Sequence, residues 1–260
     1  AELLLDQGRE FNDVESLKTL QKLCEESLLP MVPADKMPAE RAWVYDCLGQ
    51  TLGILGRRQS FTATLEQAVE AFEAALALRD RTASPFDWAT TQNHLGNAIG
   101  SLGQRQHSLE LLDRAAAAFE AALEVPISNA APEGRASAQS NLAAVLQTIG
   151  QQRQDAATIA RAVTAYKAAL SIWTPDRKPL FWAATQSNFG AALRVLGGME
   201  KDSAMLEQSV AAYRAALKAR TRERMPHEWA MTQNDLGAAL QAVGEQKVSD
   251  SSFHDQFGVF

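Results

Sequence analysis

Apolar residues along this chain recur three or four apart in blocks of helical length, and the blocks themselves recur every 47 residues. The second block shows the pattern. Trp88, Leu95, Ile99 and Leu102 share one helical face, Gly103 and a polar stretch at residues 104–108 follow, and Leu112, Ala115, Ala116, Phe119, Ala122 and Leu123 form a second stripe. The spacing predicts a helix A that opens at Pro85, where the missing N–H costs nothing, and stops at Gly103. A helix B then runs from about Leu109 to Glu124, and Pro126 ends it. In the first block, Thr64 and Gln67 read as a capping box ahead of helix B.

The same step of 47 links Pro38, Pro85, Pro132, Pro179 and Pro226, and Gly56, Gly103, Gly150, Gly197 and Gly244. It links Leu65, Leu112, Ile159 and Leu206, then Phe72, Phe119, Tyr166 and Tyr213, then Ala75, Ala122, Ala169 and Ala216. A fixed period of this size marks an array of one supersecondary unit, each copy packed on its neighbours. The expected fold is an all-α, right-handed α-solenoid of helix-turn-helix repeats over residues 38–246, starting near 38, 85, 132, 179 and 226, the last pair incomplete. The middle of each helix A holds a small residue: Gly49, Gly96, Ala143, Gly190 or Gly237. A helix-interior Gly costs about 1 kcal/mol against Ala, so its recurrence predicts close approach of the helix B aromatic. A phosphate-cradling loop is excluded, since these glycines lie inside helices and no Gly-Lys-Ser/Thr follows.

Composition narrows the function. A net charge of -6 argues against nucleic acid as a partner. No apolar stretch approaches the ~20 residues of a membrane span, so no membrane partner is expected. Cys24 and Cys47 fall in apolar helical patterns and read as reduced packing residues of a cytoplasmic protein. His94, His107, His227 and His254 are scattered, there is no cysteine cluster, and no Gly-x-Ser-x-Gly elbow exists, so neither metal, cofactor nor catalysis is expected. The start Ala1-Glu2-Leu3-Leu4-Leu5 lacks the basic n-region of a signal peptide, and without a Met it reads as part of something longer.

Leu95-Gly96 in helix A, followed by alanine, aromatic and alanine in helix B, resembles the tetratricopeptide pattern. The helix B set is Ala68/Phe72/Ala75, Ala115/Phe119/Ala122, Ala162/Tyr166/Ala169 and Ser209/Tyr213/Ala216. The unit is longer than that family's usual ~34 residues. With Thr91-Gln92-Asn93-His94-Leu95-Gly96 and Thr232-Gln233-Asn234-Asp235-Leu236-Gly237 it is similar to long bacterial arrays and, less closely, to kinesin light chain and spindle adaptor versions. The family's helix A tryptophan position is glutamine here (Gln92, Gln139, Gln186, Gln233), and Trp88, Trp182 and Trp229 stand four residues earlier, where longer helices are expected to bury them between repeats.

The resemblance implies that helix A lines a concave wall where a protein or peptide binds. Flanking the Leu–Gly leucine by two on either side selects Asp46, Asn93, Ser140, Ser187 and Asn234, then Gln50, Asn97, Ala144, Ala191 and Ala238. One turn on come Gly53, Gly100, Gln147, Arg194 and Gln241, and beside the row stand His94, Asn141, Asn188 and Asp235. The amides resemble the asparagine ladder of related adaptors, in which each side chain offers a donor and an acceptor to an extended peptide. The alternative is that they tie helices and loops together. Only Arg194 is cationic on this wall, so a carboxylate clamp is not expected.

Residues 1–34 read as a capping helix or degenerate repeat, with Leu17, Leu20, Leu23, Cys24, Leu28 and Leu29 as its stripe. Residues 247–260 read as a tail that caps the array or docks in a groove, with Phe253, Phe257 and Phe260 on the register of residues 65, 69 and 72. The expected function is a non-enzymatic scaffold for an extended peptide or partner helix. Self-assembly through the tail, or a regulatory domain within a larger enzyme, are the alternatives.

Overall fold

Proline at the first helical position starts every helix A. The computed structural model describes residues 3–6, 13–58, 62–125 and 132–257, the last eight by backbone alone. Among the described residues all regular structure is helical. Helix α1 is Val14–Lys22, capped by the Asp13 carboxylate, and continues through a π-helical stretch, Leu23–Leu28, to a last turn at Leu29–Met31. Then come α2 (Pro38–Arg58), α3 (Ala63–Ala77), α4 (Pro85–Gln106), α5 (Leu109–Glu124), α6 (Pro132–Arg153), α7 (Ala156–Leu170), α8 (Pro179–Glu200), α9 (Ser203–Leu217) and α10 (Pro226–Phe257). The chain divides into two compact units, residues 1–141 and 142–260, and the boundary falls inside α6.

In the first unit α2 packs on α3, α3 on α4, and α4 on α5, and α1 covers the free side of α2 with Leu17, Leu20 and Cys24 fully buried. In the second unit α7 packs on α8, α8 on α9 and α9 on α10. Each unit is thus a run of helical hairpins in which a helix B sits between its own helix A and the next. Burial pushes the Cys24 thiol up to about 11, and both cysteines are free and buried.

The helix A glycines do what the spacing predicts. A Cβ built at Gly49 would lie 2.7 Å from the Phe72 ring, at Gly96 2.7 Å from Phe119, and at Gly190 3.1 Å from Tyr213. These rings are 2, 1 and 0 % exposed, and burying one such side chain stabilises by about 1.5–3 kcal/mol. Burial also pushes the Tyr166 hydroxyl above its ordinary range.

Three sequence expectations fail locally. Gly103 does not stop helix A: α4 runs to Gln106, and the same holds at Gly150 and Gly197. The termini are made by His107, Gln154 and Lys201 in the left-handed region at φ 51, 54 and 55°, and the carbonyls of Gly103, Gly150 and Gly197 accept from the amides of Ser108, Asp155 and Asp202 at 2.9, 2.8 and 2.9 Å. The glycines instead let helix B close in, since a Cβ at Gly150 would meet Ile159 at 2.6 Å and one at Gly56 would meet Leu65 at 2.8 Å. The loop expected at residues 104–108 shrinks accordingly. Nor does Thr64 cap α3, which begins at Ala63 after Thr62. Elsewhere helix B is capped by Ser108, Asp155 and Asp202, again 47 apart. Trp88, Trp182 and Trp229 are half-buried rather than buried, with the guanidinium of Arg81 over Trp88 at 4.9 Å and that of Arg222 over Trp229 at 5.8 Å.

Gly96 and Gly237 occupy one register but different surroundings, since a Cβ at Gly237 meets nothing within 4 Å. Gly96→Ala is therefore expected to lower stability by about 1–2 kcal/mol, overpacking outweighing propensity. Gly237→Ala is expected to raise it by up to ~1 kcal/mol. Urea denaturation of both variants checks this, and equal effects of one sign would contradict it.

Candidate interaction face

Along each helix A one stripe can be followed at steps of four, three, four and three residues. On α2 the stripe is Ala39, Trp43, Asp46, Gln50 and Gly53, and on α4 it is Phe86, Thr90, Asn93, Asn97 and Gly100. In the second unit α8 contributes Leu180, Ala184, Ser187, Ala191 and Arg194, and α10 contributes His227, Met231, Asn234, Ala238 and Gln241. Its N-terminal end is apolar and open: Trp43, Phe86, Leu180 and Met231 are 39, 49, 55 and 54 % exposed. Phe181, one residue beyond Leu180, is equally exposed and lies 5.2 Å from the Trp173 ring, centroid to centroid. Sequence reasoning missed these residues because their helical spacing matches the core stripe; only their place in the 47-residue register separates them.

The polar end divides into residues that lock repeats together and residues that face outward. Asp46 is buried at 6 % exposure. It accepts from the Thr91 hydroxyl at 2.7 Å and from Gln50 at 2.6 Å, with His94 Nδ1 at 3.3 Å and the Arg79 guanidinium at 3.6 Å. Arg79 also donates to the Thr91 hydroxyl and to the Asp87 carbonyl, and the His94 ring lies 5.7 Å from Phe72. Burial pushes the Asp46 carboxyl up, but His94, Thr91 and Arg79 outweigh it and hold it below the usual carboxylate range. Asp46 therefore joins the first repeat to the second instead of standing on an open wall.

The second unit repeats this junction with the charge moved. Arg220 donates to the Thr232 hydroxyl at 3.0 Å, and Ser187 lies 3.4 Å from it, both hydroxyls buried. Ser187 holds the register of Asp46 and Asp235 that of His94, and burial lowers the Arg220 guanidinium's affinity for its proton against the opposing charges of Glu228 and Asp235, both on α10. Burial and the Asp235 charge push the Tyr213 hydroxyl up to about 12, opposed by Arg194, which lies beside it. Gln147 also faces inward, accepting from Tyr166 at 3.4 Å.

Other expected contact residues remain on the face. Asn141 donates to Asn93 at 3.2 Å, bridging α6 and α4 within the first unit, and both are half-buried. Asn97 and Ser140 are half-buried, Asn188 and Asn234 are exposed, and Gln241 is exposed and donates to Glu245. Beside Asn93 a cleft of about 40 Å³ opens, lined by Phe86, Thr90, Leu123 and Arg135 among others. It is far below the ~300 Å³ of small-molecule sites and suits a single side chain. Among the described residues no group of three or more His, Cys, Asp or Glu could hold a metal ion, and no helix is long and apolar enough to cross a membrane.

Removing one partner of a buried ion pair costs about 3–5 kcal/mol. Asp46→Ser, which strands Arg79, is expected to destabilise on that scale. Adding His94→Asp rebuilds the arrangement of the second unit and is expected to recover at least half the loss in thermal or urea unfolding. A double variant no more stable than Asp46→Ser alone would contradict it. Because the Asp46 carboxyl is held low in the folded chain, its contribution is full above the unfolded value of ~3.9 and is lost as pH falls through the folded one. Asp46→Asn is expected to flatten that acid limb.

Residues 88–126 match the family model described as a tetratricopeptide repeat. Among solved structures the chain is similar to the crystal structure of BtubC (BKLC) from P. vanneervenii, at 20% identity over 85% of this chain and 80% of that one, with a TM-score of 0.53. Comparison with curated proteins gives no match. At that identity the structural likeness speaks for the fold, an all-α array of helical repeats. The matched segment spans one helix A–helix B pair, Gly96 against Phe119, and the same contact recurs at Gly49 against Phe72 and Gly190 against Tyr213.

Proposed function

We propose that the chain is a non-enzymatic interaction scaffold that holds an extended polypeptide against its helix A faces. Tetratricopeptide repeats generally mediate protein–protein contacts, and the observation that supports a peptide here is the juxtaposition on α4 and α6. Exposed Phe86 stands one turn before Thr90 and two before Asn93, beside a cleft for one side chain. The Asn93–Asn141 bond consumes one donor and one lone pair, and each amide keeps capacity for a backbone N–H or C=O. An aromatic anchor with amides spaced along a groove reads a polypeptide backbone and one apolar side chain. Trp43 on α2 extends the face toward the first repeat.

Peptides held this way bind at about micromolar Kd, near -8 kcal/mol, because ordering the ligand offsets much of the contact energy. Selection of a displayed random-peptide library on the purified chain should enrich apolar-anchored peptides. Phe86→Ser and Asn93→Ala should each weaken the best of them at least about tenfold by fluorescence anisotropy, one such interaction being worth ~1.4 kcal/mol, with the far-ultraviolet helix signal unchanged. A library without enrichment, or unchanged affinity in both variants, would contradict the reading.

A further inference from the structure

The cleft between α4, α5 and α6 opens where side chains present in other copies are missing. Arg135 stands 47 residues after Trp88 and 47 before Trp182, so no indole enters this junction. Gly134, where other copies carry Glu40, Asp87, Phe181 and Glu228, adds no side chain, and a Cβ built on it meets nothing within 4 Å. Ala138 stands where Thr91, Thr185 and Thr232 bring a hydroxyl. What remains has apolar walls at Ala122, Leu123 and Ala138, and polar groups at Arg135, Asn93 and Thr90.

Arg135 is the charged group of this cleft, and the chain leaves most of its donors unused. Its Nη1 donates to the Leu123 carbonyl near the end of α5, at 3.1 Å. Among the described residues it makes no second hydrogen bond and no ion pair. Arg41, at the same register, shows the contrast. It donates to the carbonyls of Leu29 and Val32 at 2.9 and 3.0 Å and to the Tyr45 hydroxyl at 3.1 Å, and it lies over the Tyr45 ring. Glu124, the last residue of α5, is taken by Arg81 at 3.0 Å, and residues 126–131 hold no acidic side chain. A guanidinium tethered at Nη1 keeps its Nε–Nη2 edge, the geometry that takes a carboxylate through two parallel bonds.

We infer that the cleft takes the side chain of an aspartate or glutamate of the bound peptide, its carboxylate on the free edge of Arg135 and its methylenes against Ala122, Leu123 and Ala138. Arg135 is then the residue that selects the ligand's charge. The inference rests on the peptide reading above and deepens it: the apolar side chain of the peptide meets exposed Phe86, and the acidic one enters beside it. The carboxylate of a chain end fits less well. It stands next to its own backbone N–H, which walls of alanine and leucine would strip of water without replacing it, whereas an acidic side chain brings only methylenes to those walls. A neutral amide side chain also fits less well, because it offers the guanidinium one acceptor oxygen where a carboxylate offers two.

Short random peptides displayed as a library are selected in parallel on the parent chain and on Arg135→Gln. The parent pool should gain an Asp or Glu close to an apolar residue, at least about fivefold over the unselected pool, and the Arg135→Gln pool should not. The best peptide from the parent pool is then synthesised with its acidic residue and with the matching amide, and both are titrated by fluorescence anisotropy. The amide should weaken binding to the parent at least about tenfold and to Arg135→Gln less than about twofold. Arg135→Trp, which places in the cleft the side chain that neighbouring copies hold there, should abolish the acid preference with the far-ultraviolet helix signal unchanged. Amidating the peptide's C-terminus should leave its affinity as it was. An enriched pool without acidic preference, an equal loss from the amide in both chains, persistence of the preference in Arg135→Trp, or a loss on C-terminal amidation would overturn this inference and leave the peptide reading standing. A library without enrichment on the parent would overturn both.

Discussion

A helix B aromatic ring lies where the Cβ of a helix A residue would otherwise be. Phe72 on Gly49, Phe119 on Gly96 and Tyr213 on Gly190 set how closely the two helices of a hairpin approach, and that distance fixes the rest of the unit. A second glycine one turn before the helix A terminus lets the first apolar residue of helix B close in at Gly56, Gly150 and Gly197. With both ends fixed, the turn between the helices has only the left-handed residue and the N-cap to place. The two bare positions and the two-residue turn are one device, and each fails without the other: a side chain at Gly150 would push Ile159 away and unseat the Asp155 cap.

Hairpins built on apolar contact alone could slide against their neighbours. The junctions between repeats add a polar lock. Arg79 and Thr91 meet Asp46 from the preceding helix A, while Arg220 and Ser187 meet at the Thr232 hydroxyl, with the charges of Glu228 and Asp235 on the following helix A acting on Arg220. A buried guanidinium demands a carboxylate nearby, but the demand does not specify which helix provides it, so the two junctions satisfy it from opposite sides. The consequence for the interaction face is direct. Positions that enter the lock, such as Asp46, are withdrawn from a ligand, and those left outside it, Asn93 and Asn234 among them, can face one.

The period, the prolines and the glycine–aromatic pairing were legible in the sequence because they recur at a fixed step, and a step of 47 needs no partner to be seen. Helix termini were less legible. Gly103 has the composition of a stop signal, yet the left-handed position falls on His107, a residue type that tolerates φ > 0 without advertising it. Asp46 was misplaced for a different reason. Its partners Arg79 and Thr91 lie in other elements, and only the folded chain brings a guanidinium to it. Phe86 and Trp43 were missed because an apolar residue at helical spacing looks alike whether it is buried or offered to a partner.

Whether the aromatic–glycine contact governs the hairpin is tested most directly by a double-mutant cycle on Gly49 and Phe72. Unfolding free energies are measured for the parent, Gly49→Ala, Phe72→Leu and the double variant. If the ring and the missing Cβ compete for one space, the added methyl fills what the ring vacates. The double variant is then more stable than the sum of the single changes by about 1 kcal/mol or more. Additivity within ~0.5 kcal/mol would mean that the two positions do not sense each other, and the account of the unit would fail.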